Sequence, residues 1–199
     1  MGLGKQSKIL TGKQIKTMLI HLSTTRMPTR NQLIFLLSAK SGLRAKEVSQ
    51  LKWSMVVNSE GIVSDAIHLT DIASKGNSGR VIPLNKDVKG LLVILFEDES
   101  KRHDYDVNSS FVIRTERSTS TSAQSIVNMF ATWYSDLGFV GCSSHSGRRT
   151  FITNLSKKIG VVGGTLRDVQ SLAGHSNLQT TQRYIEVDTD CQRKLVDLV

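Results

Sequence analysis

The stretch LAGHSNLQTTQRYI, residues 172–185, decides how the rest of the chain is read. Gly174 precedes His175, and Tyr184 follows nine positions later. The residues between are small and polar, the kind that start helices and coat surfaces. TLRDVQSLAG reads as a helix stopped by Gly174, and SNLQTTQRYI as a short helix that follows it. The segment has little hydrophobic content of its own. Taken alone, His175 is a turn histidine behind a capping glycine and Tyr184 a half-buried helix tyrosine. Together they allow a second reading, in which the phenol is a nucleophile and the imidazole helps to hold its target.

Working outward, the pattern is mostly helical. Residues 11–22 place Ile15, Met18, Leu19 and Leu22 on one stripe. NQLIFLLSAKSGL, 31–43, predicts a buried helix ending near Gly42, and RAKEVSQLKW a second short helix. The period then changes. AIHLT and RVIPL predict two strands joined by the Gly-bearing loop DIASKGNSG. NKDVKGLLVILFEDESKR returns to helix with Asn85 as a cap, and SSFVIR reads as a short strand or extended piece. STSAQSIVNMFATWYSDLGF and SHSGRRTFITNLSKKIG predict two further helices, the second stopped by Gly160. STSTSAQS and VVGG are the mildest linker candidates, and DCQRKLVDLV could form a last helix. The expected fold class is α+β, mainly α, with one small antiparallel β-sheet near residues 60–85.

Composition narrows the function. The chain has 199 residues, 39% hydrophobic and 22% charged, enough for one domain with a real core. Its longest apolar run, LLVILF at 91–96, falls far short of the ~18 residues of a membrane span, and the N-terminus has no signal-peptide core. Cys142 and Cys191 give neither a disulfide framework nor a zinc pattern, so reduced thiols in a cytoplasmic protein are expected. Lys and Arg number 26 against 17 Asp and Glu, a net charge of +9. A balance of that size suits a polyanion, most often nucleic acid.

Several polar residues fall where secondary structure would gather them. Arg44 follows a glycine at a helix junction. Lys75 sits at the hairpin tip. His145 and Arg148 are three apart at a helix start and share a face. With His175 and Tyr184 they make a kit for phosphoryl transfer without metal. Guanidinium groups bind phosphate oxygens in two-point fashion and can stabilise the added charge of a pentavalent transition state. Alone, each of these residues has a structural reading as a solvated arginine, a loop lysine or a helix-terminal histidine. Carboxylates cluster in FEDES (96–100) and HDYD (103–106), as two-metal nucleases require, but FEDES closes an apolar helix, where a solvated face is the simpler reading. Tyr105 and Tyr134 are weaker nucleophile candidates, one in an acidic loop and one in an apolar stripe.

In this order the motifs resemble the catalytic domain of the tyrosine recombinases, the phage-integrase family, from about residue 11 to 190. SGLRAKEVSQLKW is similar to the first arginine box, with Arg44 in the catalytic place and Glu47 as its acidic companion. SKGNSGRVIPL resembles the hairpin lysine box, with Lys75. HSGRRTFITNL resembles the His-x-x-Arg box, and LAGHSNLQTTQRYI the closing Gly-His and tyrosine box. The resemblance implies a helical integrase-type domain and a site-specific recombinase that needs no cofactor. In that mechanism Tyr184 attacks the scissile phosphate and forms a 3′-phosphotyrosyl link, releasing a 5′-hydroxyl. Arg44 and Arg148 bind the non-bridging oxygens, Lys75 is the general acid for the leaving oxygen, His145 assists proton transfer, and His175 hydrogen-bonds the phosphate. Arg149, Arg80 and Lys46 are candidate DNA contacts. A type IB topoisomerase-like relaxation and a DNA-binding regulator that has lost cleavage remain alternatives.

The sequence also departs from the family. Gly147 stands where a bulky apolar residue is usual, at a helix-propensity cost of ~0.5–1 kcal/mol relative to Ala. IGVVGGTLRD is longer and richer in glycine than expected between its two helices. Most members carry a helical core-binding domain before the catalytic one, and this chain starts almost at the latter. It therefore reads as a single catalytic domain with residues 1–10 as a flexible arm, like the short members, or as a fragment. Weak, salt-sensitive binding of double-stranded DNA by the monomer is expected. The resemblance further implies a tetramer assembled on DNA, with the tail 186–199 docking into a neighbouring subunit through Val187, Leu195, Val196 and Leu198, and possible accessory DNA-bending proteins.

Overall fold

The computed structural model describes residues 6–74, 79–185 and 196–197. The fold class read from the sequence is the one found: eight α-helices and one two-stranded antiparallel sheet among the described residues. Helix α1, Gly12–Ser23, starts at a capping box in which Thr11 accepts from the Gln14 backbone and Gln14 accepts from the Thr11 backbone. Helix α2, Pro28–Ser41, begins earlier than its apolar run, because Pro28 suits a first turn where its missing N–H is not needed. Its run from Leu33 to Ala39 is buried all round, so α2 is the central helix, packed by α1, α4 and α6. It ends on Gly42 at φ 68°, a left-handed cap that turns the chain into Leu43 and Arg44.

The second short helix is shorter than RAKEVSQLKW suggests. Helix α3 covers only Ala45–Ser49, and Trp53–Met55 forms a separate 3-10 turn. Leu51 and Trp53 are fully buried, and their backbone pairs with the extended SSFVIR piece: Val112 N–H donates to Leu51 O at 2.8 Å and Trp53 N–H to Ser110 O at 3.1 Å. That piece is a single bridge, Lys52 opposite Phe111, rather than a strand. Strands β1, Ala66–Leu69, and β2, Arg80–Pro83, pair with Ile67 opposite Ile82. Helix α4, Lys86–Glu99, is capped by Asn85 as expected.

Helix α5, Ala123–Asp136, starts at the Ser122 cap, inside the quoted run. It buries Ile126, Phe130, Trp133 and Tyr134 in the main core. Helix α6, Ser146–Lys158, α7, Leu166–Ala173, and α8, Leu178–Gln182, build a second small core of Ile152, Val169 and Ala173, against which Phe151 and Tyr184 pack. So α6 lies between two cores and carries the His-x-x-Arg segment at its start. The N-terminal arm is tied to that start. Lys8 N–H donates to Gly141 O at 3.0 Å, and Leu10, 3% exposed, donates to Thr150 Oγ1 at 2.8 Å. Among the described residues no helix is long and apolar enough to cross a membrane.

Gly147 has a packing reason. A Cβ there would lie 2.6 Å from Ser38 Oγ and 3.2 Å from the Ala39 nitrogen. Its absence lets the first turn of α6 close onto α2, which brings Arg148 within reach of the α2 terminus. The glycine's helix-propensity cost is thus set against close helix contact.

Candidate active site

Arg148 is 4% exposed. A cation that deep needs compensation, and it comes from two backbone carbonyls. One terminal nitrogen donates to Gly42 O, and the other donates to Ala173 O at 2.6 Å. Both oxygens stand at helix C-termini, α2 and α7, where the partial charge is negative. Both helices close on left-handed glycines, Gly42 and Gly174 at φ 60°, so the same turns that end them aim these carbonyls inward. Burial, then the neighbouring Arg44 charge, lowers the Arg148 pKa to about 10. It remains charged at neutral pH.

Beneath it lies Glu47, fully buried on α3. Oε2 accepts the Arg44 backbone N–H at 2.8 Å, and Oε1 accepts Arg44 Nη1 at 2.7 Å. Arg80 donates to the same carboxylate with both terminal nitrogens at 3.1 Å, and its Nε donates to Leu172 O at 2.9 Å. Burial would raise the Glu47 carboxyl pKa, but the bonds and charges of Arg80 and Arg44 outweigh it and hold it below the ordinary carboxylate value. Arg80, expected at the DNA surface, has a side chain only 5% exposed, and it joins β2 to α3 and α7 under the site. Strand alternation carries the signal for this: Arg80 lies two residues before buried Ile82 and shares its inward face.

His175 follows Gly174. Its Nδ1 lies 2.9 Å from Thr181 Oγ1. Its ring stacks on that of Tyr184, with centroids 5.7 Å apart and planes inclined by 22°. Burial first, then the charges of Arg148, Arg44 and Arg80, lowers its pKa to about 4, so the ring is neutral at neutral pH. The unfolded chain takes up this proton near pH 6.5. Between about 6.5 and 4 the unfolded state therefore binds more protons, and folding stability falls as the pH falls through that window. We expect the thermal midpoint of the free protein to drop across it and the His175→Asn variant to show a shallower drop, measured by circular dichroism melts. An equal slope in both would reject the assignment.

The open cleft above these residues, of about 410 Å³, is lined by Arg44, His145, Arg148, Arg149, His175 and Tyr184, with Thr180, Arg183, Gln6 and Ser7 at its rim. Arg44 is 24% exposed, half-turned into the cleft. His145 is exposed and stands at the N-cap position of α6 rather than inside it. Lys46 is exposed on α3 and does not line the cleft. Lys75 lies outside the described residues, as do Val187, Leu195 and Leu198 of the tail, while Val196 is exposed. Sequence reasoning missed Thr181 and Arg183. Both sit in the polar run before Tyr184, and neither has a periodic signal.

Gly174 is held by more than its dihedral. A Cβ there would lie 2.8 Å from Arg80 Nη1. Gly174→Ala combines left-handed strain with that collision, and we expect a loss of about 1–3 kcal/mol. A urea melt with a lower midpoint and an unchanged slope would show it.

The model of the phage integrase family matches residues 8–190. Tyrosine recombinase XerA of Thermococcus kodakarensis is 29% identical over 187 residues, covering 94% of this chain and 61% of that protein. Tyrosine recombinase XerC of Staphylococcus carnosus is 29% identical over 174 residues, covering 83% and 52%. The chain thus spans about three-fifths or less of the curated relatives it matches. Among solved structures, the Tn1549 transposon integrase in complex with transposon right end DNA superposes with a TM-score of 0.76 at 17% identity, covering 100% of this chain and 67% of that one. The XerA recombinase crystal structure gives 0.72 at 20%, covering 100% and 65%. With the family model spanning nearly the whole sequence, the chain belongs to the phage integrase family.

Proposed function

We propose that this chain is the catalytic part of a site-specific DNA recombinase that breaks and rejoins strands through Tyr184. The observation that carries the reading is the convergence of two guanidinium groups, a neutral imidazole and a phenol on one open cleft. Arg44 and Arg148 take the non-bridging oxygens of the scissile phosphate, and their charge stabilises the pentavalent transition state. The Tyr184 oxygen bonds phosphorus, the bond to the 5′-oxygen breaks, and that oxygen leaves as a hydroxyl. His145, exposed at the mouth, assists removal of the phenol proton, and Lys75 supplies the leaving group's proton. Because the phosphodiester is exchanged for a phosphotyrosyl ester, the reversal needs no nucleotide cofactor. Reversal onto a partner strand exchanges strands. The partners in this reading are a DNA duplex, further copies of the chain assembled on it as a tetramer, and accessory DNA-bending proteins, all in the cytoplasm.

The test is covalent trapping. Nicked duplexes tiled across the DNA flanking the protein's own gene lose the cleaved fragment, so an attacked strand cannot be resealed. A protein–DNA band that survives denaturation supports the reading. Its absence on every duplex that the protein binds would overturn it.

A further inference from the structure

Thr181 touches nothing that reacts, yet its hydroxyl is fully buried beside the imidazole that faces the cleft. The His175 backbone is already clamped, since its N–H donates to Gln170 O at 3.1 Å and its carbonyl accepts Gln170 Nε2 at 2.9 Å. What remains free is the ring proton. A neutral imidazole has one N–H, and its position decides whether the face toward the phosphate donates or accepts.

We propose that Thr181 is a positioning residue that donates its hydroxyl proton to His175 Nδ1, so that Nε2 carries the N–H and presents it to a non-bridging phosphate oxygen. The Thr181 hydroxyl has a single partner among the described residues, Nδ1 at 2.9 Å. Were Nδ1 the donor, that hydroxyl proton would be buried without an acceptor, a state that native interiors avoid. The charged neighbours agree. Arg44 and Glu47 from α3, Arg80 from β2 and Arg148 from α6 surround the ring, and their three positive charges disfavour a doubly protonated imidazole. Tyr184, two residues past the end of α8, covers one ring face. A singly protonated ring in that company is a useful donor in only one tautomer, and Thr181 selects it.

The proposal rests on the cleavage reading, and its test separates the two. Ring nitrogen shifts of His175, recorded by 15N NMR on the whole protein and assigned by their loss in His175→Asn, are expected to show Nε2–H in the wild type. Thr181→Val, which keeps shape but not the donor, is expected to shift the ring toward Nδ1–H. It should lower trapping by roughly tenfold at neutral pH while leaving DNA binding unchanged. Thr181→Ser restores both readouts. As the pH falls and the ring gains its second proton, Nε2 carries hydrogen in either protein, so the gap between Thr181→Val and wild type narrows. An Nδ1–H tautomer in the wild type, equal trapping by Thr181→Val, or a deficit constant with pH would each overturn the assignment. Should the wild type trap no duplex, the cleavage reading falls and the ring spectrum still decides the tautomer.

Discussion

Tyr184→Phe is expected to remove the covalent band completely, a drop in cleavage of more than about 10⁴-fold, because the attacking oxygen itself is gone. DNA binding should persist. The substitution keeps the ring that stacks on His175 and that packs against the small core of Ile152, Val169 and Ala173. No other tyrosine can take over. Tyr134 is 3% exposed inside the main core, and burial drives its phenol further from ionisation. Tyr105 packs edge-on against Phe96 and is also held more firmly protonated, first by burial and then by Asp106. The check is a denaturing gel beside a binding gel on the same nicked duplex. A surviving band would mean that a different side chain attacks.

Glu47→Ala is expected to cost about 3–5 kcal/mol of folding stability, because it removes a buried carboxylate that two arginines share. Arg80 loses the carboxylate that accepts from both its terminal nitrogens while its side chain stays 5% exposed, and Arg44 loses its side-chain bond to Oε1. Arg148 also loses the carboxylate whose charge offsets its burial. For a domain of this size the thermal midpoint should fall by roughly 10 °C. Glu47→Gln preserves shape and some bonds but not the charge, so it should lie between. A midpoint for Glu47→Ala within a degree or two of the wild type would mean that the carboxylate is a spectator.

Much of this was legible in the sequence because the relevant signals are local. The apolar run 33–39 announced a buried helix, Asn85 the start of α4, and the alternation in AIHLT and RVIPL a two-stranded sheet. Arg44 and His175 each stand behind a glycine-marked helix end, and the order of the four boxes, not either residue alone, singled them out. Long-range contact was not legible. Nothing in RVIPL says that Arg80 meets Glu47, 33 positions away, and reading it as a DNA contact passes over the parity with Ile82 that turns it inward. Gly147 looked like a defect because its cause, the approach of Ser38, lies on another helix. Thr181 was invisible because one hydroxyl in a polar run carries no pattern until its partner is placed.

Arg148 is gripped by main-chain oxygens, which makes its placement depend on backbone geometry. Carbonyls belong to every residue type, so these two bonds do not depend on the side chains at 42 and 173 for their acceptors. What cannot drift is where α2 and α7 stop. A one-residue extension or fraying of either helix would move an oxygen by about 1.5 Å along its axis, enough to undo the grip. The hold on Arg148 is therefore a matter of helix length, set by the two left-handed glycines, Gly42 and Gly174, at which α2 and α7 stop.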